Sequence, residues 1–260
     1  MSGKKTCCCV NDECHEESMK MSKPEDKRVT AKIQTPNLYR KLSAEFIGTY
    51  FLLFAGTGSI IINDVSGGAV THVGIALTFG LIVFVMIAAL GDVSGAHMNP
   101  AVTFGLFLTG RFPGQAVIPY VVSQLTGAVG ASATLWTLFP QHLTLGGTMP
   151  TGSVIQSLLL EIILTAILMF VILSVTAGDK SKQITAGMAI GSTIGLAALF
   201  AGPVSGASMN PARSLAPALI SGQLNTLWIY LVGPVLGAAL GSLLFRCTRE
   251  TCRQIQFMEK

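Results

Sequence analysis

The chain has 260 residues, half of them hydrophobic and only 12% charged, with 28 glycines, a mean hydropathy of +0.60 and a formal net charge of +4. That composition excludes an ordinary soluble domain and describes an integral membrane protein. The small net charge gives no case for nucleic acid. One secretory signal peptide cannot account for apolar runs that begin near Leu42 and recur to the end.

Residues 1–36 mix Lys, Glu, Asp, Ser and Pro without apolar periodicity and are expected to be a disordered tail. All six cysteines lie in the tails, at Cys7, Cys8, Cys9, Cys14, Cys247 and Cys252, so no disulfide framework is implied. The cluster at Cys7–Cys14 with His15 invites metal binding or palmitoylation, but its spacing fits no defined zinc site; neither a metal site nor a cofactor is expected. Six apolar segments follow, near 41–62, 69–90, 114–138, 154–177, 183–202 and 225–246, each close to the ~20 residues that cross ~30 Å of hydrocarbon. The expected division is therefore a membrane-spanning domain over 37–247, made of repeats at about 37–140 and 150–247, and a C-terminal tail over 248–260. With six crossings, Lys and Arg other than Arg213 all fall on one face, which the positive-inside rule makes cytosolic, together with both termini. The plasma membrane is the default location, since the C-terminus shows no retention signal.

Two short stretches remain after the second and fifth segments. They begin in an almost identical pair of runs, Ser94-Gly-Ala-His-Met-Asn-Pro-Ala101 and Ser205-Gly-Ala-Ser-Met-Asn-Pro-Ala212. In each, Asn99 or Asn210 stands where an N-cap is preferred, and Pro100 or Pro211 at the first helical position, followed by Ala101 or Ala212. About ten helical residues cover roughly 15 Å, half the hydrocarbon thickness. Three full spans per copy is an odd number, so the copies are inverted and their asparagines are expected to meet near the midplane. Capping uses the side-chain oxygen and leaves the amide NH₂ as a donor where two positive helix ends converge, an arrangement that welcomes a neutral oxygen and repels cations. The expected fold is all-α, with six transmembrane helices and two re-entrant half-helices in an inverted repeat.

Three ionisable side chains fall inside this apolar frame. Glu45 and Glu161 occupy equivalent places in the first and fourth spans, where an unpartnered acid costs about 2.5–3.5 kcal/mol. Equivalence in both repeats favours acceptors for the non-helical backbone entering each half-helix, over proton relays in a coupled transporter. Arg213 follows the second run where the first has Val102, and lines a wet cavity if it is to be tolerated there. A structural salt bridge is the other reading, but the only acid on that face is Asp64, placed in a loop.

The runs Ser-Gly-Ala-His-Met-Asn-Pro-Ala-Val-Thr at 94–103 and Ser-Gly-Ala-Ser-Met-Asn-Pro-Ala-Arg-Ser at 205–214 resemble the aquaporin family of major intrinsic proteins, over residues ~38 to ~246. The resemblance implies an hourglass pore in each subunit of a homotetramer within membrane lipid, passing water or small uncharged solutes passively. It also implies a four-residue selectivity filter at Phe79, Ala198, Ala207 and Arg213. Water-selective members commonly carry His where Ala198 stands, so the constriction here should be wider. Ser214 and Phe79 depart from glycerol facilitators, which typically have Asp and Trp there. Ser214, Ala218, Tyr230 and Leu231 together resemble the nodulin-like intrinsic proteins, which pass water, glycerol and some metalloid acids.

His72 and His97 are candidates for pH sensing or for hydrogen-bonded packing. Ser22 and Thr248 lie near basic residues that would suit phosphorylation. Gly127 and Gly130, echoed by Gly233, Gly237 and Gly241, suit close helix packing. A passive channel for water and small neutral solutes is the expected function, with a water-selective aquaporin, an inverted-repeat secondary transporter and a membrane scaffold as alternatives. No nucleophile with a base appears together, so an enzyme is not expected.

Overall fold

The computed structural model describes residues 36–176 and 180–249. The N-terminal tail with Cys7, Cys8, Cys9, Cys14 and Ser22, and the end of the chain with Cys252, lie outside the described residues. Within them the chain forms eight helices: α1 (Leu38–Val65), α2 (Thr71–Ser94), α3 (Pro100–Leu108), α4 (Gly114–Leu138), α5 (Val154–Thr176), α6 (Lys180–Ser205), α7 (Pro211–Ser221) and α8 (Leu227–Arg249). Six of these are long and apolar enough to cross a membrane, and α3 and α7, of 9 and 11 residues, are not.

The helices run a few residues beyond the apolar segments because helical hydrogen bonding continues until a backbone signal stops it. Asn37 caps α1 by accepting a bond from the Arg40 amide at 3.0 Å. At the other end, α1 passes through Asn63, Asp64 and Val65 and stops before Gly67 and Gly68, both at positive φ. Asp64 is therefore in the last turn of α1 and not in a loop.

Packing repeats itself across the two halves. In the first, α1 lies against α2 and α4; in the second, α5 lies against α6 and α8; and α2 joins the halves by packing on α6. Each short helix crosses over, α3 onto α8 and α7 onto α4. The result is the all-helical inverted repeat, with each half-helix wedged into the opposite copy.

Apolar side chains such as Leu53, Leu168 and Met169 fill the interior, and others cover the outside as well. Glu45, Thr49, Gln124, Glu161 and Thr165 are completely buried, while Leu77, Leu81, Ile163 and Leu196 are more than half exposed on outer faces. Such a surface suits hydrocarbon; inside, Thr49 and Thr165 donate to helix carbonyls and both glutamates accept from loop donors, while Gln124 Oε1 has no hydrogen-bond partner among the described residues. Close helix contact depends on small residues. A Cβ on Gly127 would overlap the Phe46 carbonyl oxygen, and one on Gly241 the Ala166 carbonyl oxygen. These obstacles are backbone and cannot swing aside. Gly127→Ala is thus expected to lower stability by about 1–3 kcal/mol, read as a fall in the thermal midpoint of the purified protein in detergent. Gly130→Ala, whose Cβ meets only the edge of the Tyr50 ring at 3.5 Å, should change it little.

Prolines inside helices leave carbonyls that other groups must serve. Pro203 lacks the N–H that would reach Leu199, and the Nε2 of His72 supplies a bond to that carbonyl at 2.9 Å. His72 thus braces α6 next to Ala198.

Candidate functional site

The two Asn-Pro-Ala runs come together at the crossing of the repeats. Asn99 Oδ1 accepts from the amides of Ala101 at 2.9 Å and Val102 at 3.4 Å, and Asn210 Oδ1 accepts from Ala212 at 3.0 Å and Arg213 at 3.4 Å. Each cap serves two of the donors that a helix start leaves open. Neither amide nitrogen is wholly free, contrary to the expectation from capping. Asn99 Nδ2 donates to the Met209 carbonyl at 2.8 Å, and Asn210 Nδ2 donates to the Met98 carbonyl at 2.9 Å. An amide NH₂ has two hydrogens, so one per asparagine remains for a solute. The reciprocal bonds staple the half-helices end to end.

Reaching that point forces the chain through strained backbone. Gly95 and Gly206 sit at φ 87° and 82°, and Ala96, Met98, Ala207 and Met209 are also at positive φ, which costs non-glycine residues about 1–3 kcal/mol each. Glu45 holds the first loop. Its carboxylate accepts from the Ser94 hydroxyl at 2.7 Å, the His97 amide at 2.9 Å and the Met98 amide at 2.7 Å. Glu161 does the same in the second, accepting from the Ser205 hydroxyl at 3.0 Å, the Ser208 amide at 2.9 Å and the Met209 amide at 2.7 Å.

Tyrosines complete each loop: Tyr120 Oη donates to the Ser94 carbonyl at 2.9 Å, and Tyr230 Oη to the Ser205 carbonyl at 2.7 Å. This second pair of equivalents escaped the sequence reading, although both stand near the start of the third span of their repeats. The copies differ four residues later. Gln124 Nε2 donates to Glu45 at 2.7 Å and to Thr103 at 3.0 Å, whereas α8 has Pro234 at the corresponding place.

A cavity of about 1750 Å³ runs past this junction, its lining reaching from Asn63 near the end of α1 and Thr144 after α4 to Asp92 near the end of α2 and Arg111 after α3. Of the residues singled out in the sequence, Asn99, Asn210, Phe79, Ala198, Ala207 and Arg213 line it. Pro100, Ala101, Pro211, Ala212, Glu45 and Glu161 stand behind the wall; Ala101, Ala212 and both glutamates are fully buried.

Arg213 is 3% exposed, donates through Nη1 to the Gly146 carbonyl at 2.9 Å, and lies 5.0 Å from the centre of the Phe79 ring. The Phe79 ring in turn occupies the space that a side chain on Gly56 would need, so α1 fixes its position. Ser214, beside Arg213, accepts from Thr148 at 2.7 Å and pairs with Ser208 at 2.6 Å, tying the loop after α4 to α7. His97 also lines the cavity, its ring packed against Phe112 and Tyr120 with Nδ1 3.1 Å from the Thr103 hydroxyl.

Two opposed half-helices stapled inside six spans, with a continuous cavity past their starts, define a membrane channel of the re-entrant type. The family model for major intrinsic proteins matches residues 32–245. Aquaporin NIP1-1 of Zea mays is 46% identical over 236 residues, covering 90% of this chain and 84% of its own, and nodulin-26 of Glycine max is 46% identical over 213 residues, covering 82% and 79%. Among solved structures, the aquaglyceroporin of Plasmodium falciparum superposes with a TM-score of 0.72 at 26% identity, over 85% of this chain and all of that one. The chain belongs to the major intrinsic protein family and is a multi-pass channel for water and small uncharged solutes.

Proposed function

We propose that the pore passes water together with glycerol-sized neutral solutes, passively and without protons or ions. Asn99 and Asn210 orient the solute at mid-membrane, and Phe79, Ala198, Ala207 and Arg213 set what enters. The observation that carries this reading is the meeting of the two asparagine-capped helix starts on the wall of one cavity. Each start presents roughly half a positive charge and one spare amide hydrogen, so a carbonyl or hydroxyl oxygen is bound while a cation meets a barrier. Ala198 contributes only a methyl, which favours solutes wider than water. The likeness to an aquaglyceroporin supports the same choice.

Glu45 and Glu161 act as supports for the two loops. Neither lines the cavity, and their oxygens are committed to loop donors, which argues against ion coupling in a secondary transporter. In this reading the channel domain spans 37–247 and assembles as a homotetramer through its exposed apolar helix faces. Arg40, Lys41, Arg111 and Arg246 mark the cytosolic face, with both termini on that side of the plasma membrane.

The test is osmotic swelling of proteoliposomes with water alone and then with glycerol. Ala198→His, which narrows the filter and adds a polar ring, should cut glycerol permeability by roughly tenfold or more while sparing water. An unchanged glycerol-to-water ratio would put the constriction elsewhere.

A further inference from the structure

We infer that His142 is a positioning residue for the Arg213 guanidinium, pinning the loop whose carbonyl holds it, and that the pin opens when the imidazole is protonated. The inference rests on the reading of Arg213 as the filter cation.

His142 lies in the loop between α4 and α5, where its ring is held at both nitrogens. Nδ1 accepts from the Leu145 amide at 3.0 Å, and Nε2 is 3.1 Å from Asp64 Oδ2 in the last turn of α1. A backbone amide can only donate, so Nδ1 carries no hydrogen. The hydrogen is on Nε2 and is given to Asp64. The two contacts together require the neutral ring in this one tautomer.

The consequence of the Leu145 bond reaches the pore within one residue. Leu145 is buried against Ile61 and Leu135 at φ 51°, a left-handed conformation that a leucine holds only under restraint. Gly146 follows at φ 67°, pressed so closely onto Thr57 that a Cβ would lie 2.7 Å from its carbonyl oxygen. The Gly146 carbonyl is the acceptor for Arg213 Nη1 at 2.9 Å. Asp64, His142, Leu145, Gly146 and Arg213 therefore form one line of contacts from the outer end of α1 to the filter.

Protonation changes the two ends of the imidazole in opposite ways. The imidazolium has two donors and no acceptor, so the Leu145 amide then faces a second N–H, while the bond to Asp64 gains a charge pair. The ring stays with Asp64 and the Leu145 amide is released. Among the described residues Asp64 is the titratable side chain in contact with the ring, and the groove beside the pair is lined by Val65, Phe139, Pro140, Gln141, Leu143 and Thr144. With Leu145 released from its strained conformation, the Gly146 carbonyl leaves Arg213. The freed guanidinium turns into the lumen and narrows it.

The experiment measures glycerol and water permeability of proteoliposomes between about pH 8 and pH 5, the interval in which histidines change charge. Wild type is expected to lose at least about twofold in glycerol flux on acidification, more than in water flux. His142→Asn should keep the neutral-pH flux and lose the pH response, because its side-chain oxygen still accepts from the Leu145 amide and cannot titrate. Asp64→Asn should shrink the acid response, because the protonated ring then has no charge partner to hold it away from the Leu145 amide.

A flat wild-type profile, or the same profile in His142→Asn, overturns the inference. Arg213→Val separates it from the reading on which it rests. If that variant leaves the glycerol-to-water ratio unchanged, the filter assignment fails; if it alters the ratio yet keeps the full acid response, the coupling through His142 fails. Hydrogen exchange of the 139–149 segment in the wild-type protein gives a readout independent of any variant. The Leu145 amide should lose protection on acidification, and constant protection contradicts the pin.

Discussion

Replacing Arg213 by valine, the residue at the matching place in the first repeat, is expected to open the pore to monovalent cations. The guanidinium is almost fully buried beside the lumen, with one nitrogen on the Gly146 carbonyl and its plane near the Phe79 ring. A cation passing at about 5 Å meets a repulsion of about 3 kcal/mol at an effective dielectric of about 20, which is roughly two orders of magnitude in rate. Conductance in planar bilayers should rise by up to that factor in Arg213→Val. Water permeability should change only severalfold, since the asparagine junction is intact. Arg213→Lys separates charge from shape: it keeps the positive charge, so cations stay excluded, but loses the planar fork that reaches Gly146. A valine variant as cation-tight as wild type would assign exclusion entirely to the helix starts.

The second large effect is expected on stability. Glu161→Ala leaves the Ser205 hydroxyl and the amides of Ser208 and Met209 without an acceptor, in a loop that already holds two non-glycine residues at positive φ. At about 1–3 kcal/mol for each buried donor left unpaired, the sum is comparable with the whole stability of a typical domain, about 5–15 kcal/mol. The variant should fail to accumulate as a monodisperse protein. Glu45→Ala should be at least as severe, since Gln124 loses one of its two acceptors as well and keeps only Thr103. The glutamine variants keep one acceptor oxygen and should fall between, with thermal midpoints below wild type and solute selectivity retained. A Glu161→Gln protein with normal stability and a flux that now depends on a proton gradient would instead favour a coupled transporter.

The fold was legible because its signals are strong and local. Apolar length marks the spans, the Asn-Pro pair marks each half-helix start, and an odd number of spans per copy forces the inversion. What the sequence does not carry is how one donor is divided between partners. From the capping pattern both amide hydrogens of Asn99 and of Asn210 are free; folding spends one of each pair on the opposite loop, a contact between residues more than a hundred positions apart. The apolar run ends at Ile62, which leaves Asp64 to a loop, whereas α1 continues until glycines break it. The hold of Gly146 on Arg213 was likewise hidden, because it depends on a loop carbonyl presented at positive φ, which no side-chain pattern announces. Tyr120 and Tyr230 stand at matching places, with Gly127 and Gly237 seven residues further on in each copy, but no residue pattern announces that their hydroxyls reach back to the Ser94 and Ser205 carbonyls.

The central claim is that neutral solutes pass this pore and protons do not. Stopped-flow light scattering on proteoliposomes carrying an internal pH dye measures both at once. The account predicts fast, non-saturating shrinkage and glycerol re-entry, a low activation energy for water, and no change in internal pH under an imposed proton gradient. Solute flux that saturates and requires that gradient, or dye acidification at the rate of water flow, would contradict it.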